Sequence, residues 1–131
     1  MQLVFELVYM SVMSPDADIR SVNDIVLKSR IHNHSRQLTG VLVFDGERFC
    51  QHLEGDREEV LRLAARIASD KRHQQLSVLH QDFTESRRFG QWHMAYALDS
   101  RGDVLRSLSR MRGSEAVALL QQRLPSLVLL P

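Results

Sequence analysis

The chain holds one cysteine in 131 residues, no long apolar run and almost no net charge. Cys50 alone rules out an internal disulfide and any multi-cysteine metal site. No apolar stretch approaches the roughly 20 residues that cross a bilayer. Met1-Gln2 runs straight into an alternating segment that carries Glu6, without the basic start of a secretory signal. A formal charge of +1, from 17 basic and 16 acidic side chains, leaves no electrostatic footprint for nucleic acid. These absences point to a reduced, cytoplasmic protein that acts on neither membrane nor nucleic acid.

What is present is ordinary globular composition, 44% hydrophobic and 25% charged, in a length that suits one domain with a real core. Leu3, Phe5, Leu7 and Tyr9 alternate with Gln2, Val4, Glu6 and Val8, the period of a strand, which puts Tyr9 on the core face. Ser14-Pro15-Asp16 breaks that strand, and Asp16 or Asp18 can cap a helix beginning near Ile19. Val22, Ile25, Val26 and Ser29 share one stripe of the helix, with Asn33 four residues past Ser29. Leu38 to Phe44 and Glu47 to Leu53 flank Asp45-Gly46, a hairpin signal. Asp56 and Glu59 have capping-box spacing before a helix bearing Val60, Leu63, Ala64 and Ile67. Strands are expected at Leu76 to Phe83 and from about His93 to Leu98.

The predicted order is an α+β, ferredoxin-like βαββαββ sandwich with two helices on one sheet face. Residues 1–98 form the core, and 99–131 a C-terminal helical cap of the same domain. The cap covers the open sheet face or meets a partner, and Val128, Leu129 and Leu130 in its apolar tail offer area to another chain.

Several polar residues fall where apolar ones are expected. Gln51 alternates with Phe49 and Leu53, so its amide points to the side of the sheet they occupy. A buried amide needs partners, because an unsatisfied one costs about 1–3 kcal/mol. By itself Gln51 reads as a core glutamine satisfied by backbone groups. Its side chain nevertheless carries an acceptor on one branch and a two-proton donor on the other. Rotating or tautomerising it reverses a hydrogen-bond pattern with almost no change of shape. Asn33 reads equally as a helix C-cap or as an amide for a mixed donor and acceptor edge. Trp92 and Met94 alternate in the last strand and read first as core filling.

Taken together and in order, the residues tell more. Tyr9, Ser29-Arg30-Ile31-His32-Asn33, Leu38-Thr39-Gly40, Phe49-Cys50-Gln51-His52-Leu53-Glu54-Gly55, Arg87-Arg88-Phe89 and Trp92-His93-Met94 resemble the BLUF domain, a family of blue-light sensors that bind FAD. The resemblance covers about residues 1–98. It implies a photoreceptor with non-covalent FAD and no enzymatic turnover. In that reading Tyr9 donates an electron and a proton to the excited flavin. Gln51 lies between the Tyr9 hydroxyl and the flavin N5/C4=O edge and is left rearranged. Asn33 holds the polar ring edge. Trp92 and Met94 are the pair whose exchange near the switch carries output. Ile25, Ser29, Arg30, His32, Phe49, Arg72 and His73 complete the cofactor site by resemblance. His32 stands where many relatives have a second asparagine, and His52, where some have tryptophan, is expected to point away from the flavin. Since the chain ends soon after the matched region, signalling in trans is implied, through a homodimer or higher homo-oligomer or a separate downstream effector.

Other readings have less behind them. A flavin-dependent oxidoreductase usually brings a glycine-rich nucleotide turn, and no G-x-G-x-x-G occurs. A hydrolase would rest on fold alone. His32 and His34 at i, i+2 do not share a helical face, so a metal site with His73 lacks geometry. His32-Asn33-His34 as a nuclease label has no charge to support it. A light-independent adaptor that docks through the C-terminal helices is the alternative outside enzymology.

Overall fold

The computed structural model describes residues 3–90 and 92–130, with 128–130 described in backbone only. Strand β1 (Val4–Met13) is followed by helix α1 (Ile19–Arg36), then strands β2 (Thr39–Phe44) and β3 (Arg48–Gly55). Helix α2 (Arg57–Ala68), strands β4 (His73–Thr84) and β5 (Ala95–Leu98), and helices α3 (Asp103–Leu108) and α4 (Ser114–Arg123) come next. A 3₁₀ turn (Leu124–Ser126) leads to strand β6 (Val128–Leu130). The expected βαββαββ order is present. The tail adds a sixth strand to the sheet, whose order is β4-β1-β3-β2-β5-β6.

Local chemistry sets the boundaries. Asp18 opens α1 with a reciprocal cap: its carboxylate accepts from Arg20 N and Ser21 N, and Asp18 N donates to Ser21 Oγ. At α2 only half of the expected box forms, Asp56 accepting from Glu59 N. Gln37 ends α1 in the left-handed region at φ +56°, so Asn33 lies inside the helix and is not its cap. Asp45 Oδ1 accepts from Glu47 N and Arg48 N, at 2.9 and 2.6 Å, and turns β2 into β3 around Gly46 at φ +100°. β1 runs to Met13, just before the expected break at Ser14-Pro15-Asp16, and both neighbouring strands pair with it to its end, Val12 against Arg48 and Met13 against His73.

The sheet is buried on both faces. Phe5, Leu7, Tyr9, Leu42, Phe49 and Leu53 face α1 and α2, where Val22, Val26 and Val60 complete one core. Val8, Met10, Val41, Val43, Cys50 and Ala97 face the other way, under α3 and α4 with Val104, Leu105, Leu108, Ala116, Val117 and Leu120. The C-terminal helices therefore cover the open face. The tail pairs in antiparallel fashion with β5, Leu129 opposite Ala97. The side chains of residues 128–130, for which a partner-facing role is expected, lie outside the described residues. No helix among the described residues is long and apolar enough to cross a membrane.

Two carboxylates sit inside the second core. Glu6 accepts from His52 Nε2 and Arg88 Nε, each at 3.0 Å, and from His80 Nε2 at 3.2 Å. Glu54 accepts from Thr39 Oγ1, Arg88 N and Phe89 N at 2.8, 2.8 and 2.7 Å. A buried charge stays only when it is paired or well hydrogen-bonded, and both meet that condition. His52 thus points away from the α1–α2 side, as its parity requires.

Candidate functional site in the cleft between the first two helices

Antiparallel register makes the site. Tyr9 on β1 lies directly opposite Gln51 on β3, and Leu42 on β2 lies opposite Gln51 on its other side. Directly opposed residues share a face with neighbouring Cβ atoms, so the two side chains must meet. Tyr9 Oη donates to Gln51 Oε1. Gln51 Nε2 in turn donates to Met94 Sδ at 3.6 Å. All three side chains are buried. Burial, then the nearby Cys50 and Asp70, push the Tyr9 phenol far up, so it holds its proton throughout the physiological range.

Tyr9 and Gln51 floor a cavity of about 180 Å³ between α1 and α2, and Met94 lies behind Gln51, outside the cavity lining. Ile25, Leu42, Phe49, Leu63 and Ile67 give it apolar walls, while Lys28, His32 and Arg66 bring cationic and imidazole groups to its α-helical rim. Arg66 Nη1 donates to His32 Nδ1 at 3.3 Å across the cleft. Burial, followed by Arg66 and Arg36, holds the His32 imidazole below its ordinary value and so favours the neutral ring that accepts this bond. Arg72 bridges the cleft near the other end, donating to Asp24 on α1 at 2.9 Å and doubly to Asp70 after α2. His73 donates from Nε2 to Ile67 O, since a carbonyl only accepts, and its Nδ1 accepts from Ser11 Oγ at 2.8 Å. Its ring lies 6.3 Å from that of Tyr9 and 6.2 Å from that of Phe49.

Of the residues singled out from sequence, Tyr9, Ile25, Ser29, His32, Phe49, Gln51, Arg72 and His73 line the cavity. Arg30 and Asn33 do not. Arg30 Nε donates to Met94 O at 3.0 Å, and Asn33 Nδ2 donates to His93 O at 2.6 Å. Met94 lies on Gln51, whereas Trp92 is 43% exposed and stacks on Phe89 with centroids 6.4 Å apart. The strand expected from His93 starts only at Ala95, because α1 side chains take the carbonyls that a ladder would use. Leu63 and Ile67 are cavity residues whose i, i+4 spacing marked them only as core. Lys28, Arg66 and Asp70 carried no signal of their own. The three histidines weighed as a metal set do not assemble: among the described residues no group of three or more His, Cys, Asp or Glu is placed to hold an ion.

The polar atoms left over fit a flavin ring edge. Asn33 is fully buried and its Oδ1 has no partner, an open acceptor of the kind that a ring N–H could fill, although Asn33 is not among the residues that line the cavity. Gln51 Nε2 has one N–H beyond that given to Met94, suited to a ring acceptor. The family model described as "Sensors of blue-light using FAD" matches residues 4–95.

The chain belongs to the BLUF family.

It is a blue-light sensor domain that binds a flavin. Over 105 residues it is 32% identical to the blue light- and temperature-regulated antirepressor BluF of Escherichia coli (strain K12), a match covering 78% of this chain and 26% of that protein. The BLUF chain thus spans about a quarter of that curated relative. The dark-state structure of the BLUF protein BlrB superposes with a TM-score of 0.80 at 27% identity, covering 93% of this chain and 95% of the other. The photo-activated state of BlsA gives 0.82 at 22% identity, covering 92% and 94%, a likeness of fold. Family membership supports the photosensory reading over the light-independent adaptor.

Proposed function

We propose that this BLUF domain holds FAD non-covalently in the α1–α2 cavity and registers blue light as a rearrangement of the Gln51 amide. The observation that carries the proposal is the buried chain from Tyr9 Oη through Gln51 to Met94 Sδ, whose first two members line the cavity. When bound, the flavin supplies blue absorption, an electron-accepting excited state and an acceptor edge at N5/C4=O. Everything else is done by the protein. Tyr9 keeps its proton on Gln51 Oε1 until the phenol gives up an electron, which makes it a strong acid. The proton then has one short route, to Oε1. Gln51, protonated at Oε1, would release a proton from Nε2 to that acceptor edge, so that its donor and acceptor ends exchange, and return of one electron and one proton would restore Tyr9 as a neutral phenol. Ser29, His32, Arg72 and His73 in the cavity wall would hold and orient the ring, with Lys28 and Arg66 available to phosphate oxygens at the rim, and Asn33, outside that wall, would offer its unpartnered Oδ1 to the ring edge.

No substrate is turned over in this scheme, and output passes in trans through a homo-oligomer or a separate effector. The E. coli relative is by name an antirepressor, which agrees with a protein partner. A reduced, cytoplasmic setting belongs to the same proposal. Burial pushes the Cys50 thiol up to about 12, so it serves as core and not as a nucleophile. The deciding experiment is reconstitution with FAD followed by a light-minus-dark absorption spectrum. A reversible red shift without net flavin reduction is expected. An unchanged spectrum under blue light overturns the proposal.

A further inference from the structure

Met94, whose sulfur meets Gln51, is not held by the sheet. The β2–β5 ladder begins at Val41 and Ala95, so Met94 occupies the bend one residue before it. Three successive carbonyls of the bend are secured by other donors. Trp92 O accepts from Gly40 N at 3.0 Å, His93 O from Asn33 Nδ2 at 2.6 Å, and Met94 O from Arg30 Nε at 3.0 Å. A few residues upstream, Glu54 clamps the Arg88 and Phe89 N–H groups. The segment between these fixed points is therefore placed, at its Met94 end, by α1 side chains.

Arg30 is the informative one. It makes no salt bridge among the described residues, and its bond to Met94 O is the one side-chain hydrogen bond it forms among them. It also stays out of the cavity wall. A long cationic side chain at the edge of a ligand cleft that contacts neither a carboxylate nor the cavity has one visible task, which is to fix that carbonyl.

We propose that Arg30 is a positioning residue for the light response, holding Met94 through its backbone so that the sulfur accepts from Gln51 in the resting orientation of the amide. The inference rests on the photoreceptor reading above. Its consequence is kinetic. Return to the dark state must restore the Gln51 Nε2–H to Met94 Sδ contact, and that contact is weaker when Met94 is free to shift. Slower recovery follows.

Three variants of the flavin-loaded protein separate the bond from the charge. Arg30→Met keeps most of the stem and removes the donor. Arg30→Gln places an amide nitrogen at the same point along the chain as Nε, keeping a donor while removing the charge. Arg30→Glu offers only acceptors there and is the second donor-free variant should Met fold poorly. Dark recovery after a blue pulse is expected to slow about fivefold in Arg30→Met and Arg30→Glu, the net worth of one hydrogen bond. In Arg30→Gln it should stay near wild type. In a Met94→Ala background Arg30→Met should add nothing further, since the two act on one contact. Unchanged recovery in the donor-free variants, failure of Gln to rescue, or multiplicative effects with Met94→Ala would overturn the role of Arg30 while leaving the photoreceptor intact. Absence of any red shift in the wild-type protein would instead remove the reading beneath it.

Discussion

Replacing Glu6 with glutamine probes the carboxylate buried on the sheet face away from the cavity. Glu6 is 3% exposed and gathers three donors, from His52, Arg88 and His80. Burial alone pushes its carboxyl up. The hydrogen bonds and charges of His52 and Arg88 outweigh that and bring it from 4.5 to about 2. A carboxylate depressed in the folded state stabilises fully above its unfolded value. That contribution is lost as pH falls from about 4.5 toward 2. At about 1.4 kcal/mol per pH unit, the gap is worth roughly 3 kcal/mol. Arg88 is partly exposed to water, so the figure is an upper value. Glu6→Gln keeps the shape and one acceptor but turns an amide NH₂ toward the remaining donors and strips Arg88 of its counter-charge. Urea unfolding at pH 7 should show the variant less stable by about 2–3 kcal/mol. Repeated between pH 6 and 3, the wild type should lose stability faster than the variant, and the difference should narrow below about 4.5. Other carboxylates titrate alike in both proteins and cancel in the comparison. Equal stability at pH 7, or a gap that does not narrow in acid, would show that the three-donor arrangement contributes nothing net.

Tyr9→Phe and Gln51→Leu should each bind FAD and lack the normal red shift, the first by losing the phenolic proton and the second by losing the amide; a wild-type difference spectrum in both would refute the Tyr9–Gln51 mechanism. Tyr9→Phe also leaves Gln51 Oε1 buried without its donor, a cost of about 1–3 kcal/mol readable in thermal unfolding. Asn33→Ala should weaken flavin retention in gel filtration and alter recovery, because Asn33 offers one oxygen to a ligand and holds His93 O with its nitrogen; unchanged occupancy would refute the fit of the ring edge. Truncation after Leu98 should unfold or aggregate the domain, since it uncovers Val8, Met10, Val41, Val43 and Cys50; a soluble truncated protein with normal flavin occupancy would show that α3 and α4 serve partners more than the core.

Much of this domain is determined by short-range pattern. Alternation in residues 3–9, the Asp45-Gly46 turn and the stripe Val22, Val26, Asn33 depend on local stereochemistry, so element order and the inward direction of Tyr9, Gln51 and Asn33 are legible in one dimension. Which inward residues touch is not. Tyr9 meets Gln51 because pairing aligns residue 9 with 51, a register that turn geometry and both cores set together. The alternation of β1 reads as one buried and one wet face. Only α3 and α4, about a hundred residues later, bury the apolar side chains of the second face, and Glu6 on that face takes its partners from three other distant segments. The choice between Met94 and Trp92 lay beyond pattern as well. It turns on two side chains of α1 that take backbone carbonyls in place of a strand, and no periodicity encodes where a long side chain finds its acceptor.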